Sequence, residues 1–310
     1  MNRLVGDIGG SHTRLGVWNG VEIVSVRLYD NDDYRDPLAL FQDYLAGLPL
    51  DLYPQQARLA VAAPVISDEV RLTNRDWRLH KQRLCEALGM RSVELFNDFA
   101  AVALGVSGLS SSECRQIGGG IAVPGATQLA LGPGTGFGMA GVVHVGGRWT
   151  PVSSEGGHAM LAILTQRELD IVARLQAPGQ PVSIESVLSG PGLLNLCRAV
   201  AALDGLPAVP QTQEDVTRLA RQGDALALET LEIFFRFLGR TAGDMALAFN
   251  ARGGVYLAGG ILPKLLPELE RSGFRNAFEN KGRFADYMAA IPTFLVTDPL
   301  VAFRGLASLP

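Results

Sequence analysis

Three short glycine clusters, each placed where a strand-like apolar run ends, restrict the fold of this chain more than any other feature. They are Gly9-Gly10, Gly132 to Gly138 and Gly259-Gly260. The chain holds 36 glycines in 310 residues, against roughly 7% in an average protein. Because glycine permits unusual backbone angles and close approach, such turns present consecutive N–H groups to an anion. The clusters indicate an α/β fold that binds phosphate at its strand ends.

Composition excludes several classes of protein. The length allows two domains, and a net charge of −4 without a basic stretch argues against nucleic-acid and membrane partners. No apolar run reaches the roughly 18 residues of a membrane span, and Asp7 interrupts the apolar N-terminus that a signal peptide needs. The widely spaced Cys85, Cys114 and Cys197 suggest neither disulfides nor a zinc site. We therefore expect a cytoplasmic protein.

The first glycine cluster follows the apolar run Leu4 to Ile8, and strand-like residues resume directly after it. This order predicts a strand–turn–strand meander with a phosphate-binding turn. Asp7 lies where a carboxylate can hold Mg²⁺ through water, and the hydroxyl of Ser11 or Thr13 can add a donor. A plain hairpin turn with a buried aspartate remains the alternative. The candidate contacts are Gly6, Asp7, Ile8, Gly9, Gly10 and Ser11.

The second cluster contains a misleading motif. Gly136, Gly138 and Gly141 match G-x-G-x-x-G, but that fingerprint requires a helix directly after the loop. The continuation through Val145 is strand-like, so we reject a Rossmann NAD site. No lysine follows a glycine, which excludes a Walker A loop. What remains is a second phosphate-binding hairpin, and its candidate contacts are Gly134, Thr135 and Gly136.

The third cluster, Gly259-Gly260, follows the buried strand 255–258 and precedes a helical stretch. Two glycines at a strand exit let a flat ring lie against the backbone, which suits a nucleotide base. A tight strand-to-helix turn without a ligand is the alternative for this segment alone.

Polar side chains form the rest of the candidate site. Asn97-Asp98 lies between a strand and an Ala-rich helix, where one of the two residues suffices as the N-cap. The Asp98 carboxylate is then left over at the sheet edge where ligands bind, and it can act as a general base. Glu155 and His158 flank two glycines and suit a polyol, although a structural histidine is the alternative. Glu185 alone would be interpreted as a solvated helical charge.

Further elements complete two halves of similar order. We predict helices over Trp77 to Leu88, Ala225 to Phe249 and Ala302 to Leu309, and a strand over Arg58 to Val65. The predicted domains are 1–108, joined by the C-terminal helix 298–310, and 109–297, with a substrate cleft between them.

Taken in order, these segments resemble the bacterial glucokinases of the sugar kinase, Hsp70 and actin superfamily. The resemblance extends over nearly the whole chain and implies two actin-like (ribonuclease H-like) α/β domains. Ser11-His12-Thr13 departs from the more usual Thr-Asn-Ala of that family, and the cysteine-rich zinc motif of related kinases is absent. The segments that carry the resemblance are 4–10, 96–99, 134–136, 155–158, 185–193 and 255–261.

The resemblance implies a hexose kinase that forms glucose 6-phosphate and ADP from glucose and ATP. Asp98 would be the base, with Asn97, Glu155, His158 and Glu185 holding sugar hydroxyls. Mg²⁺ would arrive with ATP, near Asp7, with no metal site of the protein's own, and the chain would form a homodimer. Alternatives are a kinase for mannose, glucosamine or fructose, a non-catalytic sugar sensor, and an ATPase of the chaperone kind.

Overall fold

The computed structural model describes residues 2–72, 75–177, 179–206 and 210–310, in which strands alternate with helices. The strands are β1 (Arg3–Ile8), β2 (His12–Trp18), β3 (Ile23–Asp30), β4 (Gln56–Val61), β5 (Glu69–Arg71), β6 (Arg78–His80), β7 (Ser92–Asn97), β8 (Cys114–Gln116), β9 (Gln128–Pro133), β10 (Phe137–Val145), β11 (Arg148–Ser154), β12 (Val255–Leu257) and β13 (Thr293–Val296). The helices are α1 (Pro37–Ala46), α2 (Lys81–Leu88), α3 (Asp98–Val106), α4 (Gln166–Leu175), α5 (Ile184–Val187), α6 (Gly190–Leu203), α7 (Gln213–Arg221), α8 (Ala225–Phe249), α9 (Leu266–Arg271), α10 (Phe274–Glu279), α11 (Ala285–Ala289) and α12 (Val301–Ser308). Five short 3₁₀ helices among the described residues are Asn31–Asp33, Leu50–Leu52, Gly156–His158, Leu262–Leu265 and Gly282–Phe284.

The chain divides into two compact units. Unit 1 comprises Met1–Leu109, Trp149–Ser153 and Asp298–Pro310, and unit 2 comprises Ser110–Arg148 and Ser154–Thr297. The domain boundaries expected from the sequence stay a prediction. In the described residues, no helix has both the length and the apolar character needed to span a membrane.

Unit 1 is built on a sheet with the strand order β3-β2-β1-β4-β7. The first three strands pair antiparallel, which confirms the expected meander, and β4 and β7 add parallel strands beside β1. Helix α1 begins with Asp36 as its N-cap and Pro37 in its first turn, as helices favour. The fully buried side chains of this core include Leu4, Ile8, Leu15, Leu40, Phe41, Tyr44 and Leu59.

Helices α3 and α12 cross within unit 1 at a pair of glycines. A Cβ on Gly305 would overlap the carbonyl oxygen of Ala101, and one on Gly105 would overlap the carbonyl oxygen of Val301. The backbones are therefore in direct contact, which only residues without a side chain allow. Since α3 begins at Asp98, this crossing sets the position of that residue's helix.

The C-terminal segment is held by buried Arg58. The Arg58 guanidinium donates to the carbonyl oxygens of Leu306 at 3.2 Å and Leu309 at 2.7 Å, and to that of Pro310. It also pairs with Glu94 at 2.8 Å, which supplies the opposing charge that a buried cation requires. The segment therefore secures the end of α12 to the sheet of unit 1.

Unit 2 has a sheet in which β10, β9, β12, β13 and β8 follow one another. Its longest helix, α8, runs from the N-cap Asp224 to Asn250 in the left-handed conformation, as the sequence predicts. The large side chains buried in this core include Phe234, Phe235, Phe237, Phe274 and Phe278.

Three expected elements differ from the sequence interpretation. The helix expected from Trp77 begins only at Lys81, because Val70 and Leu79 pair across the small hairpin of β5 and β6. The strand expected to reach Val65 ends at Val61. The helical stretch after Gly260 begins as a 3₁₀ turn, Leu262–Leu265, whose Pro263 removes a helical donor.

Candidate functional site

The turn between β1 and β2 consists of Gly9, Gly10 and Ser11. The Gly9 N–H donates to the carbonyl oxygen of His12 at 3.0 Å, so the turn is tight. Gly6 lies within β1, where a Cβ would meet the side chains of Leu15 and Leu59 at 2.7 and 2.8 Å. Core packing therefore accounts for Gly6, and the Ile8 side chain is likewise fully buried.

Thr13 corrects one expectation about this turn. Its side chain is 1% exposed, and its hydroxyl donates to Oδ1 of Asn31 at 2.7 Å. The hydroxyl therefore points into unit 1 and is not a donor to a bound anion. Ser11, by contrast, is exposed.

Asp7 is a partly buried carboxylate opposite Arg14 in the β1–β2 ladder. Burial raises the pKa of Asp7 above its ordinary value, and the Arg14 charge partly opposes this rise. A nearby cation favours the ionised form of a desolvated carboxylate. Asp7 therefore has the chemistry to face a magnesium ion carried by a substrate.

Asn97 and Asp98 lie at the start of α3, and one of them supplies the N-cap, as the sequence suggests. Asn97 is the N-cap of α3, since its Oδ1 accepts from the N–H of Ala100 at 3.1 Å. The Asp98 carboxylate accepts from the N–H of Phe99 at 2.8 Å and lies in the first turn of the helix. The positive end of the helix dipole stabilises a negative charge at this position.

The Gly9–Gly10 turn and Asp98 lie at one edge of the unit 1 sheet. Strands β1, β4 and β7 run parallel, and Ile8, Val61 and Asn97 align at their carboxyl ends. Adjacent strands lie about 4.8 Å apart, so Ile8 and Asn97 are separated by about 10 Å. This spacing allows the phosphate of one molecule, bound at the turn, to lie near the hydroxyl of a second molecule, bound beside Asp98.

The β9–β10 hairpin of unit 2 carries Gly134, Thr135 and Gly136. Its tip is closed by the Gly134 N–H, which donates to the Gly136 carbonyl oxygen at 2.8 Å. The Gly134 carbonyl in turn accepts from the N–H of Gly190 at the start of α6, at 2.9 Å. Thr135 is exposed at the tip, where its hydroxyl is available to a ligand.

The Gly259–Gly260 turn lies beside this hairpin. Strands β9 and β12 are parallel neighbours, and a Cβ on Gly259 would overlap the carbonyl oxygen of Pro133. Gly259 also has a φ of +99°, which L side chains rarely adopt. Gly260 has no atom within 4 Å of the place a Cβ would take. The Gly134–Gly136 turn and the Gly259–Gly260 turn therefore lie at the same edge of the unit 2 sheet.

Glu155 and His158 lie at the two ends of a short 3₁₀ turn, which packs on the first residue of β10. A Cβ on Gly157 would overlap the carbonyl oxygen of Phe137. The His158 N–H donates to the Glu155 carbonyl oxygen at 3.0 Å, so the turn holds both residues close in the backbone. Both side chains are exposed, which excludes the structural role of a core histidine.

Glu185 is a partner of the phosphate hairpin and not simply a solvated charge on a helix. Its Oε2 accepts from the N–H of Phe137 at 2.7 Å, and a Cβ on Gly136 would overlap that oxygen. The chain just before it is tied to the Glu155 segment, because the Ile184 N–H donates to the Ala159 carbonyl oxygen at 2.9 Å. Phe137 is therefore the common neighbour of the candidate sugar and phosphate residues of unit 2.

A cavity of about 410 Å³ is lined in part by Ile261, the residue after the Gly259–Gly260 turn, and lies in the size range of small-molecule sites. Sequence reasoning missed it, because helices α6 and α7 and the 3₁₀ turn that form it carry no shared motif. Its apolar lining comes from Leu193, Ile261 and Leu265, and its charged lining is Glu214, Arg218, Arg221 and Lys264. Among the described residues, no group of three His, Cys, Asp or Glu side chains could hold a metal ion.

Comparison with known proteins places this geometry in context. A family model for glucokinase matches residues 4–309. A glucokinase of Paramagnetospirillum magneticum is 41% identical over 309 residues, covering 99% of this chain and 96% of the relative. A glucokinase of Chromohalobacter salexigens is 43% identical over 304 residues, with 97% and 95% coverage.

The fold is also similar to that of a solved glucokinase structure. The crystal structure of a glucokinase from an Antarctic psychrotroph superposes with a TM-score of 0.87 at 33% identity, covering 99% of this chain and 97% of that one. The expected α/β fold class of the sugar kinase superfamily is thereby confirmed.

Proposed function

Since the chain belongs to the glucokinase family, we propose that it transfers the γ-phosphoryl group of ATP to the 6-hydroxyl of glucose. The products are glucose 6-phosphate and ADP. The observation that carries this proposal is the placement of Asp98 at the same sheet edge as the Gly9–Gly10 turn. A base and an anion-binding turn about 10 Å apart, two strands at about 4.8 Å each, suit a hydroxyl attacking a terminal phosphate.

Phosphoryl transfer needs positioning and charge neutralisation above all, because its transition state is loose and spreads charge over the phosphoryl oxygens. Asp98 takes the proton of the 6-hydroxyl as that oxygen bonds to the γ-phosphorus. The bond from the γ-phosphorus to the bridging oxygen breaks, and ADP leaves with the electron pair. The N–H groups of the Gly9–Gly10 turn and of the Gly134–Gly136 turn, together with the Thr135 hydroxyl, stabilise the negative charge of the phosphates.

Sugar recognition falls to Asn97, Glu155, His158 and Glu185. A hexose offers hydroxyls that both donate and accept, so carboxylates and an imidazole together match it. The exposure of Glu155 and His158, and the bond of Glu185 to Phe137 that fixes its carboxylate, support this assignment.

The nucleotide base is assigned to the cavity beside Ile261. Its apolar lining suits the faces of a flat ring, and Lys264 supplies a cation for the anionic part of the nucleotide. We further expect Mg²⁺ to arrive with ATP, with Asp7 facing it, and a cytoplasmic homodimer, as the family resemblance implies.

ADP release measured with and without glucose tests the proposed function. We expect release that depends on glucose, with mannose, glucosamine and fructose compared at equal concentration to rank the hexoses. Release without any sugar would favour an ATPase, and sugar binding without release would favour a sensor. Heat-denatured protein serves as the control for ADP formed by other routes.

Two glycines of one hairpin give a prediction about substrate assignment. Gly136→Ala displaces the Glu185 carboxylate, so we expect a rise of about tenfold in KM for glucose, the scale of one lost charged hydrogen bond. Gly134→Ala meets no protein atom within 4 Å, so the added methyl should disturb only a bound phosphate and raise KM for ATP. Steady-state kinetics over both substrates separates the two effects. If Gly136→Ala changes KM for ATP alone, Glu185 is not a sugar residue.

A further inference from the structure

Asn31 is a fully buried polar residue that no sequence motif identifies. It follows β3 and opens the 3₁₀ helix Asn31–Asp33, and its relative exposure is 0%. A buried amide is costly unless its hydrogen bonds are made, so its partners show what holds it there.

All the bonds of Asn31 to the β1–β2 turn go to three consecutive peptide units. Its Nδ2 donates to the carbonyl oxygens of Gly9 at 2.9 Å and Gly10 at 3.2 Å. Its backbone N–H donates to the carbonyl oxygen of Ser11 at 2.8 Å. The Thr13 hydroxyl donates to Oδ1 of Asn31, which fixes which end of the amide faces the glycines.

These bonds determine where the amide N–H groups of the turn point. In a planar trans peptide the C=O and the following N–H point in opposite directions. Because the carbonyls of Gly9, Gly10 and Ser11 face Asn31, the N–H groups of Gly10, Ser11 and His12 point away from it. Three successive N–H groups on one side of a turn form an anion-binding concavity.

Asn31 is itself held in place from the core of unit 1. The Arg75 guanidinium donates to the Asn31 carbonyl oxygen at 2.5 Å and to the Asp32 carboxylate at 2.7 Å. The same guanidinium stacks over the ring of Trp77, 4.5 Å from its centroid, and Trp77 is 4% exposed. A chain of contacts therefore runs from a core aromatic residue through Arg75 and Asn31 to the glycine turn.

We propose that Asn31, oriented by Thr13 and anchored by Arg75, is a positioning residue that sets the Gly9–Ser11 turn in its phosphate-binding conformation. The inference rests on the proposed function, in which this turn binds the phosphates of ATP. It also accounts for the buried Thr13 hydroxyl, which orients the Asn31 amide. Asn31 touches neither substrate and acts only through the turn.

The side chain of Thr13 offers the sharpest test, because one variant keeps its shape without the hydroxyl and another keeps the hydroxyl. Thr13→Val removes the hydroxyl and keeps the shape, so we expect the dissociation constant of MgATP to rise about fivefold, the scale of one hydrogen bond. Thr13→Ser keeps the hydroxyl and should bind MgATP as the wild type does. Asn31→Ala removes all the side-chain bonds and should weaken MgATP binding more than Thr13→Val.

Titration calorimetry with MgATP in the absence of sugar measures this binding, and kinetics add KM for ATP and for glucose. We expect KM for glucose to stay within about twofold in every variant, whereas a loss of folded protein would lower the apparent kcat and leave both KM values unchanged. Asn19→Ala is the matched control, because the Asn19 side chain supports the β2–β3 turn by accepting from Val21 and Glu22.

Unchanged MgATP binding in folded Thr13→Val would overturn the inference, as would equal rises in both KM values. The inference and the proposed function fail separately in this design. Wild-type protein that binds MgATP but releases no ADP with glucose contradicts the function, while the comparison of Thr13→Val with Thr13→Ser still decides the role of Asn31.

Discussion

Asp98→Asn is expected to lower kcat at least about 100-fold, the scale of general-base effects, and to leave glucose binding within about twofold. Asparagine keeps an oxygen that can accept from the Phe99 N–H, so the first turn of α3 stays intact. What it loses is the ability to take the proton of the sugar hydroxyl. A coupled assay of ADP release gives kcat, and titration calorimetry with glucose gives the dissociation constant.

The control for this variant is Asp286→Asn, which makes the same chemical change on an exposed residue of α11. It should be indistinguishable from the wild type. Turnover near the wild-type rate in Asp98→Asn would remove Asp98 from its role as the base, and loss of glucose binding would reassign it to substrate recognition.

Gly305→Ala is expected to cost about 3 kcal/mol of unfolding free energy, the upper part of the usual overpacking range. The added Cβ overlaps the Ala101 carbonyl oxygen, and a backbone atom cannot move aside as a flexible side chain can. Helix α12 must shift on α3, whose first residue is Asp98, so kcat should fall as well. Thermal unfolding and the coupled assay measure the two effects.

Gly119→Ala is the matched control, because Gly119 is exposed and nothing lies within 4 Å of its Cβ position. We expect its unfolding temperature to equal that of the wild type. If Gly305→Ala unfolds at the wild-type temperature, the two helices are not in the close contact described here.

Sequence patterns sufficed where the structure of a segment depends on its own residues. The apolar run of α8 between Asp224 and Asn250 defines its helix, because each end carries a residue suited to that position. Asn97 is likewise an N-cap that the residue order alone predicts. The hairpin nature of the second glycine cluster followed from the β-branched residues of β10, and the strand is confirmed.

The rest depends on partners distant in sequence. Leu79 lies in β6, but this strand forms only because Val70 supplies a partner in β5. Asn31 belongs to no motif, and its role depends on Gly9 and Gly10 lying within reach across the meander. The hydrogen bond from Phe137 to Glu185 joins residues 48 apart, and no sequence pattern near either residue predicts it.

Unit 1 combines residues up to Leu109 with residues from Asp298 onward, and this arrangement affects how the protein is synthesised. The surface of α3 around Ala101 and Gly105 waits for α12, which leaves the ribosome only after the whole of residues 110–297. This surface of α3 therefore stays uncovered until α12 has been synthesised, while unit 2 can fold first around α8. Ribosome-bound chains that stop before Val301 should accordingly expose this surface of α3 to proteases and chaperones.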